Sequence, residues 1–172
     1  MSKIKFKIKE LDIKQTTGIA TQWLKANASA DDIDIILLWT RASNCSCISV
    51  EDEQGEIYAL FDIWEAPAHI KNMKVCFSPK HSFDLKGQKY SEFIDTLDKL
   101  INVLISIFNY VVKLSDKWGV VKIYNANPLI GLIFADFAKE LKRKTPDYGV
   151  KLYRNWVEIT NPSKQKGKGV GQ

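Results

Sequence analysis

The segment from Tyr90 to Trp118 constrains this chain more than any other part of it. Phe93, Leu97, Leu100, Ile101, Leu104, Ile105, Phe108, Val111 and Val112 recur at the 3.6-residue spacing of an α-helix. Lys99, Asn102, Ser106, Asn109 and Lys113 leave only a narrow polar stripe. A helix with so wide an apolar surface must be covered on most sides. The rest of the chain therefore has to supply a sheet or further helices to cover it. Gly119 stands where a helix of this kind ends. The run Leu100–Val112 is interrupted by Asn102, Ser106 and Asn109, and is too short and too polar to cross a bilayer.

Shorter elements flank this helix. Ile4, Phe6 and Ile8 alternate with Lys3, Lys5, Lys7 and Lys9, which predicts a strand with one wet face. Residues 15–27 and 29–41 read as helices, the second beginning at Ser29 with Asp32 in a capping-box position. Cys45–Val50, Glu56–Trp64 and Met73–Phe77 are strand candidates, with Pro67 interrupting the link between the last two. Ser78–Lys89 is a twelve-residue loop, long enough to suggest binding. Val120–Tyr124 is a short strand. Asn127 and Pro128 open a helix to about Lys144. Residues 150–160 are extended, with a bend near Arg154–Asn155. The order is β, α, α, β, β, β, loop, α, β, α, β, which predicts an α+β fold.

Composition fits one domain over residues 1–160, followed by a disordered basic tail over 161–172. The net charge is +5, and without the three tail lysines about +2. There is no apolar signal segment at the N-terminus, so a cytoplasmic protein with no membrane partner is expected. Three cysteines make no disulfide framework. Cys45, Cys47 and Cys76 with His69 or His81 form the one conceivable zinc set, but no C-x-x-C accompanies them, and no metal is expected. Free Cys is commonly a small buried apolar residue.

Over 119–160 the sequence GVVKIYNANPLIGLIFADFAKEL, followed by KLYRNWVEI, resembles the strand–Asn–helix–strand segment of the GCN5-related N-acetyltransferase superfamily. The element order extends that resemblance to most of the chain. It implies a central, mostly antiparallel mixed sheet flanked by helices. It also implies an N-acetyltransferase-like activity that uses acetyl-CoA or another acyl-CoA. In that family the loop after the fourth strand cradles the pyrophosphate on backbone N–H groups. The resemblance places the cofactor against Phe77, Ser78, Lys86, Gly87, Gln88, Lys89, Asn125 and Asn127. Here that loop has only Gly87 of the family's small-residue pattern. The family's acidic Tyr would fall at Leu132 or Phe134, neither of which donates a proton, while Tyr124 lies just before the helix. Among strand-end polar groups Glu65, Asp62, His69 and His81 are candidate bases, Glu65 foremost. Tyr124 and Glu65 are thus the catalytic candidates. Two alternatives stay open. One is a non-catalytic domain of this fold that binds a protein partner or forms a homodimer. The other is a weak nucleic-acid binder using the Lys3–Lys9 face and the tail lysines.

Overall fold

A computed structural model describes residues 4–81, 83 and 87–165, with Gln165 described by its backbone alone. The elements run β1 (Lys7–Leu11), α1 (Ile13–Lys25), α2 (Ala30–Arg41), β2 (Cys45–Glu51), β3 (Ile57–Ala66), β4 (His69–Asn72) and β5 (Val75–Phe77). After a 3₁₀ turn at Pro79–His81 come α3 (Tyr90–Trp118), β6 (Val120–Tyr124), α4 (Pro128–Lys144), β7 (Gly149–Leu152), β8 (Trp156–Thr160) and the short α5 (Pro162–Gln165).

The strands form one mixed sheet of order β1-β2-β3-β4-β6-β8-β7, with β5 paired to β3. All neighbours are antiparallel except β4 and β6. Helices cover both faces. The predicted α3 spans 29 residues, about 43 Å of axis, and buries Val103, Leu104, Ile107, Phe108 and Val111. Together with Ile130, Phe134 and Ala138 of α4 they pack on Ile48, Phe61, Ile70, Val121, Ile123 and Ile159. Each such buried side chain contributes about 1.5–3 kcal/mol relative to exposure. On the other face Trp23 of α1 and Ile33, Ile36 and Trp39 of α2 cover Leu11, Cys47, Leu60 and Cys76.

Ser29 caps α2, its hydroxyl accepting from the Asp32 N–H at 3.1 Å. Asn127 caps α4, accepting from the Leu129 and Ile130 N–H groups at 3.0 and 3.3 Å. Asn127 follows the sequence expectation, and of the capping box expected at Ser29 the structure shows the Ser29 half.

Three expectations need correction. The extended run at 150–160 is a hairpin, β7 and β8, turning at Arg154–Asn155. The link after Trp64 is shorter than Pro67 implied: β3 continues to Ala66, and β4 begins at His69. Pro67 sits in the two-residue turn between them, where its missing N–H costs no ladder bond. The folded part also passes residue 160. Asn161 is buried, donating to Asp116 Oδ1 at 2.8 Å and Tyr148 Oη at 3.3 Å, while its N–H bonds Gly119 O at 2.8 Å. Residues 166–172 of the expected tail lie outside the described residues.

Gly119 ends α3 at φ 78°, and a Cβ there would stand 3.2 Å from Lys164 Cβ. Gly119→Ala should lower stability by about 1–2 kcal/mol, read as a reduced urea midpoint with unchanged slope.

Candidate functional site

The site begins with a broken strand. His69–Asn72 and Val75–Phe77 both pair with β3, and of Met73 and Lys74 between them only the Lys74 carbonyl joins the ladder, accepting from the Asp62 N–H at 3.4 Å. The backbone N–H groups of Met73 and Lys74 turn instead to the buried carboxylate of Asp62, donating to Oδ1 at 2.7 and 3.0 Å. Asn72 Nδ2 donates to the same oxygen at 3.1 Å, and Trp64 Nε1 to Oδ2 at 2.7 Å. Burial pushes the Asp62 carboxyl above the ordinary range, against the pull of these donors. Four donors on one carboxylate fix the break.

Below the break the sheet is closed, with Ile70, Lys71 and Asn72 parallel to Val121, Lys122 and Ile123. Above it, β5 pairs only with β3, and no strand among the described residues pairs with its other edge. The ladder bonds Ser78 N–H to Tyr58 O and Asp62 N–H to Lys74 O alternate along this pair. The main-chain groups of Val75 and Phe77 therefore point away from β3, toward β6. A cleft of about 430 Å³ opens here. Val75, Phe77, Ser78, Asn125, Asn127 and Ile130 line it, and the α1–α2 turn at Ala26–Ser29 closes one side. A second cavity of about 460 Å³ lies beyond Asn125 and Ala126, between α4 and the β7–β8 turn.

Four of the sequence candidates thus meet in one place: Phe77, Ser78, Asn125 and Asn127. Asn125 Oδ1 accepts from the Asn127 N–H at 2.7 Å, and Asn127 Oδ1 caps α4. Both acceptor oxygens are engaged by backbone. Gly87 has φ 74°, and Lys89 precedes α3. The Lys89 N–H donates to the Glu92 carboxylate at 3.4 Å at the start of α3. Gln88 is half-buried in the same loop. Lys86 lies outside the described residues. Two other basic side chains of the loop are tied down. Lys80 Nζ and His81 Nε2 contact Glu56 Oε1 at 3.0 and 3.1 Å, and the His81 ring stacks on Tyr58 at 3.9 Å. These two contacts, Lys80 first, hold the Glu56 carboxyl below its usual range.

The two catalytic candidates are not brought to this cleft. Glu65 pairs with Ile70 at the closed end, six residues along β3 from the partner of Phe77, or about 20 Å. The Tyr124 ring lies opposite Trp156 at 5.4 Å, and Trp156 stacks in turn on Tyr153 at 3.9 Å. At the family's Tyr position, Leu132 is exposed and Phe134 buried.

The cleft instead holds a pair that sequence reading passed over. Asp32 and Lys74 both line it, with Nζ 3.4 Å from Oδ1. Asp32 reads in the sequence as a helix-cap residue, and the fold sets it in the first turn of α2, lining the cleft. Cys76 Sγ lies 3.7 Å from the same Oδ1. Burial, reinforced by the Asp32 charge, keeps that thiol protonated and so a donor.

Cys45 and Cys47 are also pushed up, to about 12, chiefly by burial. Among the described residues no group of three His, Cys, Asp or Glu is arranged to hold a metal. None of the described helices is long and apolar enough to cross a membrane. Lys5, Lys7 and Lys9 are exposed, as the alternation predicts.

No family model and no curated protein sequence matches this chain. Solved structures do. A protein described as an acetyltransferase, from Sphaerobacter thermophilus DSM 20745, is 11% identical over 93% of this chain and 92% of its own, with a TM-score of 0.50. A ribosomal-protein-alanine N-acetyltransferase from Brucella melitensis biovar Abortus 2308 is 8% identical over 77% of this chain and 90% of its own, with a TM-score of 0.49. At these identities the likeness is one of fold. The chain has a divergent GCN5-related N-acetyltransferase-like fold, α+β with a mixed sheet flanked by helices.

Two outcomes follow. Asp62→Leu should cost about 1–3 kcal/mol or more, because it strands the Met73 and Lys74 N–H groups, and thermal denaturation reads this directly. A thiol with a pKa near 12 is only about one part in ten thousand thiolate at pH 8. Alkylation of Cys45 and Cys47 in the native protein should therefore be slow at pH 8. It should rise about tenfold per pH unit up to pH 10, and become fast in urea.

Proposed function

We propose that the cleft between β5 and β6 binds an acyl-CoA and that the protein transfers its acyl group to an amine. The observation that carries this reading is the free outer edge of β5. Among the described residues, Val75 and Phe77 present main-chain donors and acceptors with no strand partner, along a cleft of about 430 Å³ whose lining mixes apolar and polar side chains. A pantetheine arm carries two amides on an apolar chain, so such an edge suits it in length and chemistry. The Asn125 and Asn127 side chains keep their N–H₂ groups available, since their oxygens are engaged by backbone. At the mouth, Ser78 leads into the loop that ends at the start of α3. Backbone N–H groups at such a helix start favour a pyrophosphate.

A bound thioester supplies an activated acyl group. Transfer forms the amine N–C bond and breaks C–S, with the electron pair leaving on sulfur. The proton given up by nitrogen balances the one taken by the thiolate. With Leu132 and Phe134 at the position of the usual acid, that proton comes from water. A filled cleft would have favoured the non-catalytic binding domain, and the open one favours a ligand.

Isothermal titration with coenzyme A and acetyl-CoA tests this. Binding in the micromolar range is expected, and Ala126→Trp, which fills the cleft, should abolish it without lowering the melting temperature by more than a few degrees. No heat and no thermal shift at millimolar ligand would remove the reading.

A further inference from the structure

The Asp32–Lys74 pair is the only charged pair among the described residues that line the cleft. Its place along the cleft is informative. Phe77 and Ser78 stand at the mouth, where the chain turns into the loop toward α3. Lys74 stands two residues beyond Asn72, the last residue of β4 in register with β6, at the narrow end. A coenzyme with its phosphates at the mouth brings its acyl end to this pair. A simple acyl thioester is neutral there and gains nothing from a carboxylate. The second substrate is the molecule that a charge at this point would read.

The two members of the pair differ in fixity. Asp32 lies in the first turn of α2, anchored by the Ser29 cap, and Cys76 Sγ sits 3.7 Å from its Oδ1. Lys74 reaches it on a long side chain that is 43% exposed, against 29% for Asp32. A flexible ammonium can swing into water at small cost, whereas a carboxylate set in a helix turn stays. An incoming ammonium can replace the Lys74 ammonium on Asp32 without leaving the carboxylate uncompensated at any stage. The anionic counterpart, an acyl chain ending in a carboxylate, would instead need Lys74 as the fixed member.

We infer that Asp32 is the specificity-determining residue for a cationic acceptor amine, and that Lys74 occupies its place while the acceptor is absent. This rests on the acyl-transfer reading of the same cleft. Asp32 is a positioning residue in this role: it holds the ammonium form, which releases a proton to solvent before its lone pair attacks.

The pair makes opposite predictions for its two members, which loss of folding cannot imitate. The probe is 1,4-diaminobutane, titrated calorimetrically into the full chain with and without saturating coenzyme A, beside butan-1-ol as an uncharged control. Asp32→Asn should weaken diamine binding by about 10- to 100-fold, the range expected for loss of a charge-assisted hydrogen bond. Lys74→Met should tighten it several-fold. With acetyl-CoA present, the same variants should move KM for the diamine in those opposite directions. Coenzyme A binding with no diamine binding, or with both variants silent, overturns the inference and leaves the acyl-CoA reading standing. Opposite shifts in diamine affinity without any coenzyme A binding would keep the cation site and overturn the acyl-CoA reading. A gain in affinity for succinyl-CoA over acetyl-CoA that is lost in Lys74→Met would overturn the assignment in favour of an anionic acyl group.

Discussion

One buried carboxylate decides the shape of this protein. Asp62 takes the backbone N–H groups of Met73 and Lys74, which would otherwise continue a ladder from β4 into β5. A continuous strand would run on beside β6 and zip the sheet shut. Because the two N–H groups are satisfied by a side chain, the strand can break in the sheet interior without stranding polar backbone. Asn72 and Trp64 complete the carboxylate's coordination and keep it from drifting. The cleft, the exposed edge of β5 and the position of Lys74 all follow from this one arrangement.

The layers on either side hold the break open. The long α3 and the shorter α4 pack on one face, while α1 and α2 cover β1, β2, β3 and β5 on the other. Leu60 and Cys76 belong to the second layer, and Phe61 and Val75 to the first. β5 is therefore gripped from both faces as well as by β3, although it is only three residues long. A strand so short would be marginal without such packing.

Much of this architecture was legible in the sequence because it is periodic. The apolar stripe of 90–118 and the Asn127–Pro128 helix start each appear where the spacing places them, while the first strand, expected over 3–9, runs Lys7–Leu11. What was illegible is local and non-periodic. Asp62 reads as one polar residue in an apolar strand, and nothing in its neighbours announces the distant backbone it binds. Pro67 suggested a longer interruption than the two-residue turn it occupies. The meeting of Phe77 and Ser78 with Asn125 and Asn127 was anticipated through family resemblance, since nearly fifty residues separate the two halves. The place of Glu65 opposite Ile70 is not legible either, because a strand end looks the same from sequence whether it lies at the open or the closed end of a splayed sheet. Asp32 was overlooked because its helix-start position already had an explanation.

The unpaired edge of β5 also bears on solubility. A bare strand edge inside a sheet is a template for a neighbouring chain, and proteins usually blunt such edges. Here the edge is three residues long and recessed between α4's start and the α1–α2 turn. The same recess that leaves main-chain groups open to a small ligand limits the approach of another polypeptide to them.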